Sequence, residues 1–297
     1  MKGSKSTENM KRFTPYGYIT PIIVLLLLFV VCSVVISIVL GFTKYNIINP
    51  PVFKGLDNYA RLISDPKFLK SLKNTIKLML VIVPLQTVLG VVLAVFLVSN
   101  RKRVLGRIAN SVIFIPFLCS GAVVGVVWKE FLNGGNQALE AFFGLFHVNP
   151  AMFLGDAATA LVTVGLIAVW KDIGYYAVIY SSGLLSISDT YYEAAKVDGA
   201  GVVKRFFTIT LPLLKPTIIL VFFLSVTTSF KILDLIITMT GGGPNNASTT
   251  LVLYAYTLCF RGGNAGFAMA ISNVLLLITM GFALLQRRWI RKEASEI

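Results

Sequence analysis

The 297-residue chain contains few charged residues: Asp, Glu, Lys and Arg together make up 13% of it, about half their usual share in soluble domains. Acidic residues are the scarcer kind, with 13 Asp and Glu against 27 Lys and Arg. Too few polar side chains remain to cover the surface of a water-soluble protein. The composition therefore excludes an ordinary soluble enzyme, and the 56% of hydrophobic residues indicates a lipid environment.

Residues that carry common catalytic chemistry are also rare. His147 is the only histidine, and the sequence has neither a His-Glu-x-x-His zinc motif nor a Gly-x-Ser-x-Gly nucleophile elbow. A Gly-x-x-x-x-Gly-Lys-Ser/Thr phosphate loop is missing too, since the glycine run 241–243 precedes Pro244 and is typical of a turn. The sequence therefore predicts neither an enzyme nor a subunit that binds ATP itself.

Cysteine is the third residue type in short supply. Cys32, Cys119 and Cys259 lie in or beside separate hydrophobic runs, without the spacing of a metal site. An odd number of cysteines cannot form a closed set of disulfides. We interpret all three as small core residues.

Hydrophobic residues are abundant and form six long runs, each long enough to cross a bilayer as an α-helix. The first is too long for the apolar part of a cleavable signal peptide, so we expect it to be retained. Pro84 and Pro116 lie inside the second and third runs and predict kinks there, and Gly121 with Gly125 predicts close helix packing. The sequence thus predicts an all-α integral membrane protein with about six transmembrane helices, over Ile19–Phe42, Thr75–Val98, Ile108–Trp128, Thr159–Tyr180, Thr217–Met239 and Asn264–Leu285.

Basic residues outside these runs predict the orientation of the chain. A compact group at Arg101, Lys102, Arg103 and Arg107 follows the second run, and Arg287, Arg288, Arg291 and Lys292 follow the last. Because cytoplasmic loops are rich in Lys and Arg, we expect both termini to be cytoplasmic. The segment 43–74 is then external, although it carries six basic residues. On this interpretation the net charge of +14 reflects membrane orientation and not nucleic-acid binding.

The polar segment 186–216 has the signals of a helix, a turn and a second helix. Thr190 and Glu193 have the spacing of an N-terminal capping box, and Gly199 is typical of a helix end. Hydrophobic residues resume at Val202, Pro212 is expected to break the segment, and Pro216 to open the fifth span. The apolar side chains here are expected either to dock a partner or to pack against the bundle; they are Tyr191, Tyr192, Val203 and Phe207.

This segment resembles the EAA loop of permease subunits of binding-protein-dependent ABC importers. The sequence EAAKVDGAG, followed by ITLPLLKP, places its residues at that motif's spacing: Glu193, Ala194, Ala195, Asp198, Gly199, Ala200, Ile209, Leu211 and Pro212. In that family the loop forms a coupling helix that sits in a groove of the ATPase subunit. The resemblance therefore implies that Glu193 to Gly201, with Leu211 and Pro212, transmit motion between ATPase and permease.

The resemblance extends over nearly the whole chain and is strongest to carbohydrate importers of the maltose and glycerol-phosphate type. Matching stretches begin at Phe53, Trp170, Phe230 and Gly266. It implies the type I transmembrane-domain fold of ABC importers and import of a sugar, such as an oligosaccharide, disaccharide or polyol. The alternative is a non-sugar solute: glycerol phosphate, an amino acid or a peptide.

The family's organisation implies partners for this chain. They are a second, homologous permease subunit, giving a heterodimer, two copies of a cytoplasmic ABC ATPase, an extracellular solute-binding protein and membrane lipid. ATP and Mg²⁺ bind the ATPase, and no cofactor is expected on this chain. The expected location is a bacterial or archaeal cell membrane. We expect the chain to divide into five parts: a cytoplasmic tail at 1–18, a first span at 19–42, an external loop at 43–74, a permease core at 75–286 that contains the coupling loop, and a basic cytoplasmic tail at 287–297.

Charged residues inside the runs are candidates for the solute pathway, because a charge in lipid is costly. Lys231 and Asp234 are three residues apart and could pair on one helix face, whereas Lys171 and Asp172 diverge by about 100° and need other partners. We expect these charged groups either to form structural ion pairs or to face a cavity. Sugar sites combine aromatic faces with hydrogen-bonding groups, so the predicted pathway residues are Trp170, Asp172, Tyr175, Tyr176, Phe230, Lys231, Asp234 and Asn273.

Overall fold

The computed structural model describes residues 18–133, 143–145 and 149–294, and these residues are mainly α-helical. The only histidine, His147, and the predicted tail up to residue 17 lie outside the described residues. The helices are α1 (Tyr18–Gly41), α2 (Asp57–Ser64), α3 (Pro66–Ser99), α4 (Val104–Leu118), α5 (Gly121–Leu132), α6 (Met152–Gly155), α7 (Ala160–Leu185), α8 (Asp189–Val197), α9 (Val202–Leu213), α10 (Lys215–Ser229), α11 (Asp234–Met239), α12 (Leu251–Phe260) and α13 (Ala265–Ala294).

The chain divides into two compact units. The first contains the residues up to Ser64 together with Ala255–Asn273, and the second contains Asp65–Tyr254 together with the residues from Val274 onward. In the described part of the first unit, β1 (Thr43–Lys44) pairs antiparallel with β2 (Val52–Phe53). The predicted external segment 43–74 therefore contains a short hairpin and the start of α3.

Side-chain amides hold the first unit together. Asn58 donates to the carbonyl oxygens of Gly41 (2.8 Å) and Thr43 (2.9 Å). The Asn273 amide donates to the Ser37 carbonyl (3.2 Å) and the Tyr59 hydroxyl (3.0 Å), and its oxygen accepts from the Ser37 hydroxyl (3.1 Å). Because each polar group is paired, these buried contacts stabilise the unit.

The core of the second unit lies where α3 and α10 pack against α7. Asp65 caps α3, since its Oδ1 accepts from the amides of Lys67 (2.8 Å) and Phe68 (3.1 Å). The helix then continues through the exposed Pro84 for 34 residues in all. On α7, Tyr176 and Tyr180 are fully buried.

Two of the six predicted spans are wrong as single helices. Among the described residues, four helices are long and apolar enough to cross a membrane: α1, α3, α7 and α13. The number reaches six only if each of two bent pairs crosses once: α4 with α5, bent by 97°, and α9 with α10, bent by 68°.

The helix breaks have local causes. Pro116 removes a backbone donor from the last turn of α4, and the backbone is extended at Cys119 and Ser120, so the predicted span Ile108–Trp128 is interrupted. The predicted span Thr217–Met239 ends at Ser229, after a run of hydroxyl residues that bond back to the helix carbonyls. Such bonds bend and weaken helices. The apolar segment at this point of the chain is instead the bent pair α9–α10, which begins before the predicted span and ends within it.

The cysteines do not form a core, contrary to the prediction. Cys32 and Cys119 are exposed and Cys259 is half-buried. The reason is that a membrane protein presents apolar side chains outward to lipid, so an apolar run does not identify the buried face.

Candidate functional site

The helix-turn-helix element, residues 186–216, comprises α8, a turn and α9. Ser188 caps α8, because its Oγ accepts from the Thr190 amide (3.3 Å) and donates to the Thr190 hydroxyl (3.1 Å). The predicted capping box is therefore wrong, because the N-cap lies two residues before Thr190: Thr190 is inside the helix, and Glu193 is exposed and has no such capping role. A Ser preceding Asp189 offers the earlier cap.

Gly199 ends α8 as predicted, in a left-handed conformation with φ of +74°. Its amide donates to the Lys196 carbonyl (3.0 Å), and the Ala200 amide donates to the Ala195 carbonyl (2.8 Å). These two bonds are those of a Schellman motif, which requires a residue that tolerates positive φ. The turn thus fixes the direction in which the chain leaves α8.

The second helix, α9, begins at Val202, after Gly201 as its N-cap, and contains a π-helical stretch at Phe206–Thr210, two residues before Pro212. The helix ends at Leu213, so Pro212 does not itself break it. The Tyr192 hydroxyl lies 3.0 Å from the Thr210 hydroxyl and joins α8 to α9. Pro216 opens α10, as predicted.

The outer surface of this element is apolar and exposed. Tyr191, Val203 and Phe207 are 57%, 71% and 62% exposed, and Val197 reaches 89%. Tyr192, by contrast, is half-buried. Of the motif residues, Ala195, Ala200, Ile209 and Leu211 are half-buried, while the remaining ones are exposed: Glu193, Ala194, Asp198, Gly199, Gly201 and Pro212.

A second group of predicted site residues meets within α7. The Lys171 ammonium forms an ion pair with Asp172 at 2.8 Å and lies 5.7 Å from the centre of the Phe117 ring. Phe117 in turn stacks on Tyr175, with ring centres 4.7 Å apart. The prediction that Lys171 and Asp172 need other partners is wrong, since the long lysine stem reaches its neighbour's carboxylate.

Further aromatic rings lie on α7 near this ion pair. Trp170 meets Trp128 of α5 edge to face at 5.5 Å, and Tyr175 meets Tyr176 at 5.3 Å. Trp170 is 46% exposed, so it can contact a further molecule. We name Trp128, Trp170, Lys171, Asp172 and Tyr175, with Phe117, the aromatic-charged cluster.

The predicted pair of Lys231 and Asp234 does not form. The helix is interrupted between α10 and α11, so the two residues no longer share a helix face, and Lys231 is exposed. The Asp234 carboxylate instead accepts from the Leu235 amide (2.9 Å) at the start of α11. The Asp234 carboxylate packs against Gly121, where an added Cβ would overlap it. It is also close enough to Asp172 for the two negative charges to interact.

Two predicted pathway residues lie elsewhere. Phe230 is buried with Val83 and Val226, and its ring centre is 5.6 Å from that of Phe282. Asn273 belongs to the first unit, where its amide is fully paired as described above. The structure therefore brings together Trp170, Asp172, Tyr175 and Tyr176, with Asp234 near Asp172.

Sequence reasoning missed a network of uncharged polar groups between the spans. The Tyr176 hydroxyl lies 2.9 Å from that of Thr228, which donates to the Ser225 carbonyl (3.0 Å). The Ser225 hydroxyl donates to Oε1 of the buried Gln86 (2.5 Å). Gln86 could have indicated this network in the sequence, because a large polar side chain within a long apolar run must find a hydrogen-bond partner.

Comparison with known proteins gives the family. Residues 86–292 match the family described as binding-protein-dependent transport system inner membrane component. The probable ABC transporter permease protein YurN of Bacillus subtilis (strain 168) is 31% identical over 293 residues, covering 97% of this chain and 99% of that protein. The multiple sugar-binding transport system permease protein MsmF of Streptococcus mutans is 32% identical, covering 81% of this chain and 82% of that protein.

A solved structure shares the fold. A chain of a bacterial alginate ABC transporter, in complex with an alginate pentasaccharide-bound periplasmic protein, superposes with a TM-score of 0.84 at 20% identity and covers 96% of each chain. The fold is thus the all-α transmembrane domain of ABC importers, and the matched relatives are permease subunits rather than enzymes. This chain belongs to the family of inner membrane components of binding-protein-dependent transport systems.

Proposed function

We propose that this chain is the permease subunit of an ATP-driven importer that carries a sugar delivered by an extracellular binding protein. The observation that carries the proposal is the helix-turn-helix element. Its Schellman turn sets α8 at a fixed direction, and its exposed Tyr191, Val203 and Phe207 form an apolar surface that suits a protein partner. The partner proposed for this surface is the ATPase, with Glu193–Gly201, Leu211 and Pro212 transmitting motion.

The aromatic-charged cluster supports a sugar as the solute. Trp170 and Tyr175 offer ring faces for the apolar side of a pyranose, while Asp172 offers acceptors for its hydroxyls. The relative MsmF is named for multiple sugars, and the similar structure belongs to an alginate importer. We propose that Trp170, Asp172, Tyr175 and Tyr176 line the pathway, with Asp234 and Lys231 near its edge.

The proposed assembly follows the family. It pairs this chain with a second permease and with two copies of a cytoplasmic ATPase that binds ATP and Mg²⁺. Both termini face the cytoplasm of a bacterium or archaeon, so residues 43–74 are external, 75–286 form the permease core and 287–297 form a basic tail.

Transport by the reconstituted importer tests the proposal. The chain would be placed in proteoliposomes with its partner permease and ATPase, and uptake measured with the binding protein for oligosaccharides, polyols, glycerol phosphate and amino acids. We expect ATP-dependent uptake of a sugar, with a raised KM in Tyr175→Ala. Tyr256→Ala is the matched control, since Tyr256 contacts Phe260 in the other unit. Preferred uptake of an amino acid or of glycerol phosphate would contradict the sugar assignment.

A further inference from the structure

A cavity of about 680 Å³ opens between the helix-turn-helix element and the carboxyl-terminal ends of α3 and α7. Its apolar lining includes Val95 and Val98 of α3, Leu185 of α7, and Val203 and Phe206 of α9. A cavity of this size is in the range that binds small ligands. Val203 and Phe207 of the coupling surface proposed above also line this cavity, whereas its walls on α3 and α7 lie outside that surface.

Two arginines lie on the polar side of the cavity. Arg101 and Arg205 both line it, and Asp189 is the only acidic residue that does so. The Arg205 Nε is buried and has no hydrogen-bond partner among the described residues. Within that part of the chain neither arginine forms an ion pair, with Asp189 or with any other carboxylate. A buried guanidinium donor without an acceptor is unfavourable, so the site suits an anion.

A smaller adjoining cavity of about 210 Å³ extends this charge. It shares Val98, Arg101 and Leu185 with the larger one and adds Arg107. The combined lining thus presents three arginines beside a strip of aliphatic and aromatic side chains. A free phosphate would satisfy the arginines but leave the apolar strip wet, whereas a neutral apolar molecule would leave the arginines unpaired.

We propose that the cavity binds one anionic phospholipid. Its phosphate accepts hydrogen bonds from Arg101 and Arg205, and an acyl chain lies along Val95, Val98, Leu185 and Phe206. The location agrees with this occupant, because the cavity adjoins the ends of two membrane-spanning helices, at the level where lipid headgroups and basic residues meet. A lipid held here would brace the helix-turn-helix element against α3 and α7.

Binding of fluorescent phosphatidylglycerol to the purified importer, in phosphatidylcholine nanodiscs, tests the proposal. We expect the double variant Arg101→Gln/Arg205→Gln to bind it about tenfold more weakly. The matched control is Lys102→Gln/Lys204→Gln, which removes the same charge from the adjacent positions that do not line the cavity; it should change binding less than about twofold. Val203→Trp, which fills the cavity and keeps every charge, should also weaken binding.

Three results would overturn the proposal. They are equal weakening in the control pair, which would indicate general surface attraction; unchanged binding in Val203→Trp; and binding that appears only after the ATPase is removed from the importer, which would assign the cavity to that protein. The readout is lipid binding and not uptake, so a failure of the sugar assignment leaves it unaffected.

Discussion

At the scale of single residues, Gly199 carries the geometry of the coupling turn. Its φ of +74° is in the left-handed region, and an added Cβ would meet no atom within 4 Å. Substitution there is therefore opposed by backbone conformation alone and not by a steric clash. A β-branched side chain in this region costs about 1–2 kcal/mol.

We expect Gly199→Val to uncouple ATP hydrolysis from transport while the chain stays folded in the membrane. Gly199→Asn is the control, because asparagine tolerates the left-handed region and should largely retain coupling. The measurement is solute transported per ATP hydrolysed in proteoliposomes. Normal sugar-stimulated hydrolysis in Gly199→Val would refute the role of the turn.

The ion pair between Lys171 and Asp172 gives a second prediction at this scale. The side chains are 14% and 23% exposed, so removing one partner leaves a poorly hydrated charge. We expect Asp172→Asn to lower the free energy of unfolding by about 1–3 kcal/mol, and Lys171→Met/Asp172→Asn to recover most of it. Thermal unfolding of the purified subunit measures both.

The control for this cycle is Lys231→Met, which removes a lysine that is exposed and forms no ion pair among the described residues. It should leave the unfolding temperature nearly unchanged. An equal loss in Asp172→Asn and in the double variant would show that the unpaired Lys171 charge carries no cost, contrary to this prediction.

At the scale of elements, the existence of most helices was predictable and their interruptions were not. Apolar runs predicted α1, α3, α7 and α13, although α3 begins nine residues before the predicted Thr75 and α13 ends nine residues after the predicted Leu285. Hydrophobicity reports contact with lipid, and it stays high through a break if the neighbouring helices cover the backbone. Pro116 signalled one break, whereas the hydroxyl run ending at Ser229 was overlooked.

The predicted close packing at Gly121 and Gly125 is confirmed, between α5 and α11. A Cβ at Gly121 would overlap the Asp234 carboxylate, and one at Gly125 would overlap the Thr238 hydroxyl. These two glycines therefore permit the short helix α11 to lie against α5. The spacing of the two glycines is visible in the sequence, whereas the helix that packs against them is not.

We expect Gly125→Val to lower the free energy of unfolding by about 1–3 kcal/mol, because the added methyl groups overpack the α5–α11 contact. Gly155→Ala is the control: its Cβ would meet no atom within 4 Å, and its φ is not positive. The measurement is the thermal unfolding of Gly125→Val and of Gly155→Ala, each compared with the unchanged chain. Equal stability would contradict the packing described here.

At the scale of the whole molecule, the family was predictable from one polar segment, and the solute pathway only in part. The motif from Glu193 to Pro212 has fixed spacing, so it is recognisable in sequence. The aromatic-charged cluster depends on which faces of α4, α5 and α7 meet, and the sequence does not reveal that. Tyr175 was predicted as a pathway residue and lies in a cluster of rings, whereas Phe230 and Asn273, predicted with it, pack against Val83 and Val226 and within the first unit respectively.

The proposed membrane orientation predicts opposite accessibility for two exposed positions. In a chain whose three cysteines are replaced by alanine, we expect Lys196→Cys to react with an impermeant maleimide only in inside-out vesicles. Ile48→Cys, at a position that is 88% exposed in the segment 43–74, should react only in intact cells or spheroplasts. Labelling of Lys196→Cys from outside would remove the basis for contact with a cytoplasmic ATPase.

The most apolar stretch of α1 has no buried residue, whereas α3 buries Leu78, Ile82 and Gln86 almost completely. Selection on α1 then acts on total hydrophobicity, and any order of Leu, Ile, Val and Phe meets that requirement. We expect α1 to have diverged among orthologues much faster than α3 while keeping its composition. Comparing site-by-site substitution rates across orthologous chains would measure this, and equal rates would mean that another subunit recognises α1 residue by residue.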